Sequence, residues 1–355
     1  MTAGRGGVRI ARIPSNTQEH YMSRRSRGLT AALAVAGSLA LTSTAVAGQA
    51  PPLPTAANGA AVERLAGGLA TPTSFAFAGD TVFAGIGPAE RGHPPTGLMT
   101  VANGSAKKVP GTAPVVFGLA WHNDRLFVSS GDKITSYRGW NGTRFTGSRI
   151  VRRANSQLEG FNGLAFGPDG RLYTGVGLNP KYDHTRNPAR YANTVISMRA
   201  TGADIKIVAR GLRQPFQMTF PAGATSPYVT DLAQDGTRRI PLDQVVVAKQ
   251  GSNFGFPSCV RFTESQCGSA TKPLVFLPQH ASPMGIGSIG QTLYVALFGG
   301  LQKEKPVVVS MPVAGGTPTP FVSGFVAPVV ALNTNANYVY FGDLTGSLYR
   351  VAVAA

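Results

Sequence analysis

The sequence predicts an all-β protein, a six-bladed β-propeller with four antiparallel strands per blade. Three observations carry this. An apolar alternating run, a turn with Gly, Asp or Asn, and an aromatic flanked by Val or Leu recur six times. The aromatics Phe83, Phe127, Tyr173, Tyr228, Tyr294 and Tyr340 are 44, 46, 55, 66 and 46 positions apart, each interval long enough for one four-stranded blade. The chain holds 44 glycines and 26 prolines with 14% charged and 43% hydrophobic residues, too turn-rich for a helical protein and too apolar for disorder.

The copies run over 74–87, 117–130, 162–177, 216–231, 284–297 and 329–342. In the third, Gly163-Leu164-Ala165-Phe166 and Arg171-Leu172-Tyr173 flank Gly167-Pro168-Asp169-Gly170, a strong hairpin signal. A blade alone cannot bury both of its faces, so six such units are expected to close radially around a channel over residues 61–355. The run Val62-Glu63-Arg64-Leu65 is expected to pair with the last blade near 347–353 and close the ring. The longer intervals imply insertions, the most evident being 236–272, and channel-mouth loops such as 179–190 are where a propeller builds function.

The amino-terminal 47 residues read as a targeting segment. Arg24, Arg25 and Arg27 precede an apolar run from Leu29 to Leu41 and the small-residue site Ala45-Val46-Ala47, the order of a signal peptide, with Met22 the expected start. The run is too short to span a bilayer, so no membrane span is expected. Ser23-Arg24-Arg25 leaves both the Sec and twin-arginine routes open, and the mature protein is expected to be secreted. Residues 48–60, rich in Pro and Ala, read as a linker. In an oxidising compartment Cys259 and Cys267, the chain's two cysteines, are expected to form a local disulfide.

The net charge of +17 raises nucleic acid as a partner. Residues 1–47 hold six arginines against Glu19 alone, and downstream the charges are scattered, with Arg238-Arg239 or Lys303 and Lys305 reading as solvated loops. No zinc-finger spacing, RNA-binding sheet motif or basic helix occurs, so nucleic acid is set aside. A basic shell suits instead a cell surface or an acidic polymer. No nucleophile elbow, dinucleotide fingerprint or paired-carboxylate motif marks another enzyme class.

The segments between the blade cores narrow the choice. They are Val208-Ala209-Arg210-Gly211-Leu212-Arg213-Gln214-Pro215-Phe216, Tyr228-Val229-Thr230-Asp231, Leu242-Asp243-Gln244-Val245, Gly251-Ser252-Asn253-Phe254-Gly255-Phe256-Pro257 and Leu277-Pro278-Gln279-His280-Ala281-Ser282-Pro283-Met284-Gly285. With Phe166-Gly167-Pro168-Asp169-Gly170, their order resembles the glucose/sorbosone dehydrogenase family, the soluble quinoprotein sugar dehydrogenases. The resemblance implies pyrroloquinoline quinone over the channel mouth, calcium beside it and a sugar or polyol substrate. It also implies a base for the sugar hydroxyl, cations for the quinone's three carboxylates and a hard cation for its carbonyls.

On this resemblance Glu159 stands where the catalytic histidine is expected, and Glu159 or His280 is the candidate base. Arg213 keeps an Arg-x-Pro context and is the candidate quinone contact, with carbonyl bridging between blades as the other reading. Asp231 and Asp235, near Asp243, are the candidate calcium ligands, and the same residues also cap turns. Other positions depart from the pattern: Gln244 replaces an acid, Phe298 a lysine, Val326-Ala327-Pro328 the arginines before the last blade, and Ala113-Pro114-Val115-Val116 fill the stretch of a glutamine. A tri-anionic cofactor without cationic partners binds poorly. The alternative reading is therefore a non-catalytic propeller that has lost the quinone site and binds a carbohydrate, an acidic polymer or a protein.

Overall fold

The computed structural model describes residues 51–89, 94–234, 240–263, 267–302 and 305–353. Within them the chain is a six-bladed propeller of antiparallel blades. Blade one comprises Pro72–Ala78, Thr81–Ile86, Gly97–Ala102 and Ser105–Lys108, and blade two Gly118–His122, Arg125–Ser129, Lys133–Trp140 and Phe145–Arg153. Blade three comprises Leu164–Phe166, Leu172–Gly175, Thr194–Met198 and Lys206–Arg210, and blade four Pro215–Thr219, Tyr228–Asp231, Asp243–Val247 and Val275–Leu277. Blade five is Pro283–Ile289, Thr292–Leu297, Val307–Pro312 and Thr319–Ser323, and blade six Val329–Thr334, Tyr338–Asp343 and Leu348–Ala352 with Val62–Ala66 outermost. All six recurring aromatics lie on the second strand of their blade, and all but the half-buried Tyr228 are buried between blades.

The ring closes as the chain order suggests. Val62, Glu63 and Arg64 pair with Val351, Arg350 and Tyr349, so the last blade combines one amino-terminal strand with three carboxy-terminal ones. Glu63 accepts two hydrogen bonds from Arg350, 2.8 and 3.1 Å long, but the pair is partly exposed and contributes less than about 1 kcal/mol. Burial of Val62, Val351, Tyr349, Phe341 and Val339 in one apolar cluster supplies most of the closure. Thr55–Ala56, inside the segment read as a linker, adds a short strand to blade five, with Ala56 buried in that same cluster.

The insertion read over 236–272 falls inside blade four rather than between blades, because Asp243–Val247 is that blade's third strand. The detour follows it: Ser252–Asn253 pairs in parallel with the outer strand of blade three, and Cys259 and Cys267 form the expected disulfide before the chain returns as Val275–Leu277. The Gly167–Gly170 turn is built as its sequence implies. Asp169 accepts the Arg171 N–H and the Tyr173 hydroxyl, and burial with this carboxylate pushes the tyrosine up to about 12.

At the axis the blades meet through backbone. Thr73 donates to Val116 O at 2.8 Å, Ser129 to Asn162 O at 2.8 Å, Asn162 to Pro215 O at 2.7 Å and Thr230 to Met284 O at 2.8 Å. The Gln217 side chain crosses the axis from blade four and donates to Phe117 O at 2.8 Å and Thr73 O at 3.2 Å. Buried polar side chains thus bond across blades at this level of the axis. Glycines permit the approach: a Cβ on Gly175 would lie 2.1 Å from Pro215 O, and one on Gly285 2.2 Å from Leu332 N.

Gly175→Ala is therefore expected to destabilise the protein by about 3 kcal/mol or more, because neither backbone can yield without moving a blade. Urea denaturation of the purified variant measures this, and an unchanged midpoint would contradict the close contact.

Candidate functional site

One end of the propeller gathers the connections that leave each fourth strand and those that follow each second strand, and every described candidate residue lies there. Glu159 lies in the connection from blade two to blade three, Arg213 in that from three to four and His280 in that from four to five. Asp231 ends the second strand of blade four. Asp235 lies outside the described residues, as does the targeting segment.

Glu159 is half-buried and held by two amides. Its Oε1 accepts from Asn179 Nδ2 at 2.7 Å and its Oε2 from Asn187 Nδ2 at 2.5 Å. Both amides have a fixed orientation, because Asn179 Oδ1 accepts the Lys181 N–H and caps a short 3₁₀ turn, while Asn187 Oδ1 accepts the Ala189 N–H. A carboxylate offers about four acceptor sites and an amide nitrogen two donors. The two hydrogen bonds thus leave acceptors on Glu159, and a donor on each asparagine, to face a ligand hydroxyl.

Arg213 is buried beside the same loop. Its Nε donates to Asp183 Oδ1 at 2.6 Å, Nη2 to Asp183 Oδ2 at 3.1 Å, and Nη1 to Ala233 O at 2.5 Å. Arg213 thus bonds a carbonyl that follows the second strand of blade four, with its charge offset by a bidentate partner. Next to it, Gln214 accepts the Leu178 N–H at 2.8 Å. These bonds join the 176–193 loop of blade three to Glu159 on one side and to blade four on the other.

Asp231 is fully buried. Its oxygens accept the Gln214 N–H at 2.8 Å and Gln244 Nε2 at 2.7 Å, and burial pushes its carboxyl up to about 6 despite those bonds and nearby Arg213. Asp243 plays a related part, accepting the N–H groups of Ala233 at 2.7 Å and Ser282 at 2.8 Å. It thereby fixes the turn that presents His280, an exposed residue whose backbone is left-handed at φ +60°. The carbonyl of His280 sits over Gly299, where a Cβ would approach it to 1.8 Å.

This donor set fits neither calcium nor the quinone. Asp231 is fully buried with a donor of the fold on each oxygen, and among the described residues no three His, Cys, Asp or Glu side chains converge as a metal site. Arg213 is paired, and Phe298 joins an apolar patch of Phe216, Met284, Val330, Leu232 and Leu344 where blades four to six meet the axis. A pocket beside the disulfide, lined by Arg213, Asp231, Gln244 and Arg261, offers about 40 Å³, space for two or three waters.

Sequence reasoning missed Asn179, Asp183 and Asn187, because each matters only through a partner on another connection. Asn179-Pro180 is a turn signal in the sequence, but nothing in it points to Glu159. Gln217 had a local cue in Gln214-Pro215-Phe216-Gln217, though its contacts lie on blades one and two.

No protein-family model and no curated protein sequence matches the chain. Solved structures do. The PQQ-bound form of aldose sugar dehydrogenase from Streptomyces coelicolor aligns with a TM-score of 0.63 at 17% identity, covering 86% of this chain and 100% of that one. An oxidoreductase described as a glucose dehydrogenase, from Thermus thermophilus, aligns at 0.64 with 19% identity, covering 82% and 100%. A luciferin-regenerating enzyme aligns at 0.53 with 15% identity, covering 84% and 96%. The resemblance seen in the motifs is thus met at the level of fold, and a fold that hosts several chemistries leaves the function to the site.

Because the folded-state pKa of Asp231 lies above its ordinary 3.8, its contribution to stability is fully present below about pH 4 and is lost as pH rises to about 6. Asp343 is shifted in the same direction by burial, and Asp204 in the opposite direction by its hydrogen bond from Arg171. Asp231→Asn is expected to remove a decline of roughly 3 kcal/mol across that window. Thermal unfolding of both proteins between pH 4 and 7 measures it, and parallel curves would show that Asp231 does not titrate there.

Proposed function

We propose that the chain is an exported propeller that binds a sugar or polyol at its channel mouth without a quinone. The observation that carries the proposal is the Glu159 carboxylate clamped by Asn179 and Asn187, a preorganised array of acceptors and donors suited to vicinal hydroxyls. Phe298, Leu232 and Leu344, partly exposed at the same end of the propeller over buried Phe216, Met284 and Val330, offer a surface for the C–H face of a sugar ring. Export rests on the charged, apolar and small-residue order of residues 22–47. Among the described residues no helix is long and apolar enough to cross a membrane.

The fold likeness to a PQQ-bound aldose sugar dehydrogenase favours a second reading, a quinone-dependent sugar dehydrogenase. In that reading Glu159 or His280 serves as base, Arg213 as anion contact and Asp231 as a residue near calcium. It requires Arg213 to exchange Asp183 for a cofactor carboxylate.

Calorimetric titration of the mature protein with a panel of sugars and polyols tests the first reading, and titration with pyrroloquinoline quinone and calcium, followed by absorbance, tests the second. The expected outcome is saturable sugar binding that Glu159→Gln weakens about tenfold, or ~1.4 kcal/mol, with no quinone uptake. Absence of sugar binding sinks the first reading. Tight quinone binding with sugar-dependent bleaching replaces it with the dehydrogenase.

A further inference from the structure

The outer edge of blade two departs from the scattered charge of the rest of the chain. Between Arg125 and Arg153 stand Arg125, Lys133, Arg138, Arg144, Arg149, Arg152 and Arg153, opposed by Asp132 alone. Asp132 is 3.5 Å from Lys133, and among the described residues no carboxylate lies within ion-pair distance of the six arginines. The Nε of Arg152 is buried with no partner.

The strand register makes the arrangement more pointed. Arg125 stands directly opposite Arg138, and Lys133 directly opposite Arg153. Like charges so placed repel, and a sheet normally alternates their sign. In the next cross-strand row on the same face of the sheet as Arg125 and Arg138, Phe127 and Ser136 lead outward to Arg149, and Arg144 closes the outer hairpin. Arg138 lies across Gly147, where any Cβ would come within 3.0 Å of its Nε, so the missing side chain leaves room for the arginine to reach the rim.

Charge on an edge strand also guards against sheet-to-sheet aggregation, and one or two lysines suffice for that. The other blades keep to this. Blade one has Lys107 and Lys108 at its edge, Asp204 pairs with Arg171, Arg199 and Lys206 of blade three, and the outer strands of blades four and five hold no cation. Blade two concentrates arginine, the side chain whose planar fork suits carboxylate groups. Its outer strand, Phe145–Arg153, spans about 30 Å at ~3.4 Å per residue, a linear track rather than a flat field.

We infer that the outer edge of blade two is a docking track for a linear anionic polysaccharide bearing carboxylates. The polymer lies along the strand edge, met by Arg149 from one face of the sheet and, past the bulge between Ile150 and Arg152, by Arg153 from the other, with Arg144 at the hairpin end. A strip one strand wide fits a chain better than a planar membrane surface. The track is separate from the channel mouth, so the test is independent of the sugar-binding proposal.

The test is binding of the mature protein to immobilised polygalacturonate over a salt series, with dextran and single-stranded DNA of similar length as comparison polymers. Arg144→Gln, Arg149→Gln and Arg153→Gln together are expected to weaken binding about tenfold and flatten its salt dependence. Arg199→Gln, Lys249→Gln and Lys272→Gln, an equal loss of charge at exposed positions elsewhere, are expected to change it less than about threefold. Thermal unfolding keeps the result interpretable, because relief of the Lys133 and Arg153 repulsion predicts an unchanged or raised midpoint. Equal losses in the two triple variants, no polygalacturonate binding, or DNA bound as tightly as polygalacturonate would overturn the assignment.

Discussion

Antiparallel pairing of Val62–Ala66 with Leu348–Ala352 closes the architecture, because it builds the last blade from both ends of the described chain. Each blade packs its apolar faces against two neighbours, and an open ring would leave the clusters around Tyr349 and Phe341 facing water. Closure also sets the geometry at the axis. Once the circle is fixed, the inner strands come close enough that glycine is required at Gly175 and Gly285, and Gln217 can span from blade four to blades one and two.

That rigid ring is what allows short connections to act as a site. Glu159, Arg213 and His280 sit in three successive crossings between blades; the first two are held by residues of the 176–193 loop, and the turn of the third by Asp243 at the start of a blade-four strand. The 176–193 loop is the common element, bonding Glu159 through Asn179 and Asn187 and Arg213 through Asp183. The same bonds that order the site decide its chemistry. A guanidinium paired with a carboxylate adds little field for a tri-anionic ligand, whereas a carboxylate paired with two neutral amides keeps its charge and part of its acceptor capacity.

The polar groups buried near blade four show a division of labour the sequence does not label. Asp231 and Asp243 resemble metal ligands when read along the chain, yet both are buried and accept hydrogen bonds of the fold on each oxygen. Keeping Asp231 buried raises its pKa and costs stability at neutral pH, and in return the crossing between blades three and four is fixed. The disulfide has a similarly local role, closing a detour that pairs with blade three and returns to complete blade four.

The sequence by itself determined the number of blades, the second-strand aromatics, the Pro-Asp-Gly hairpin, the disulfide and the closing strand. All of these are carried by alternation, spacing and turn chemistry within some tens of residues. Glu159, Arg213, Asp231 and His280 were legible as positions, because motifs surround them. Their partners were not: the Asp183 carboxylate that neutralises Arg213 is thirty positions away, and the carbonyls that hold Gln217 are a hundred or more. Only the tertiary structure decided which charges are paired, where the insertion belongs and which cations on blade two face one another, since these depend on distances across blades that ring closure, not local sequence, sets.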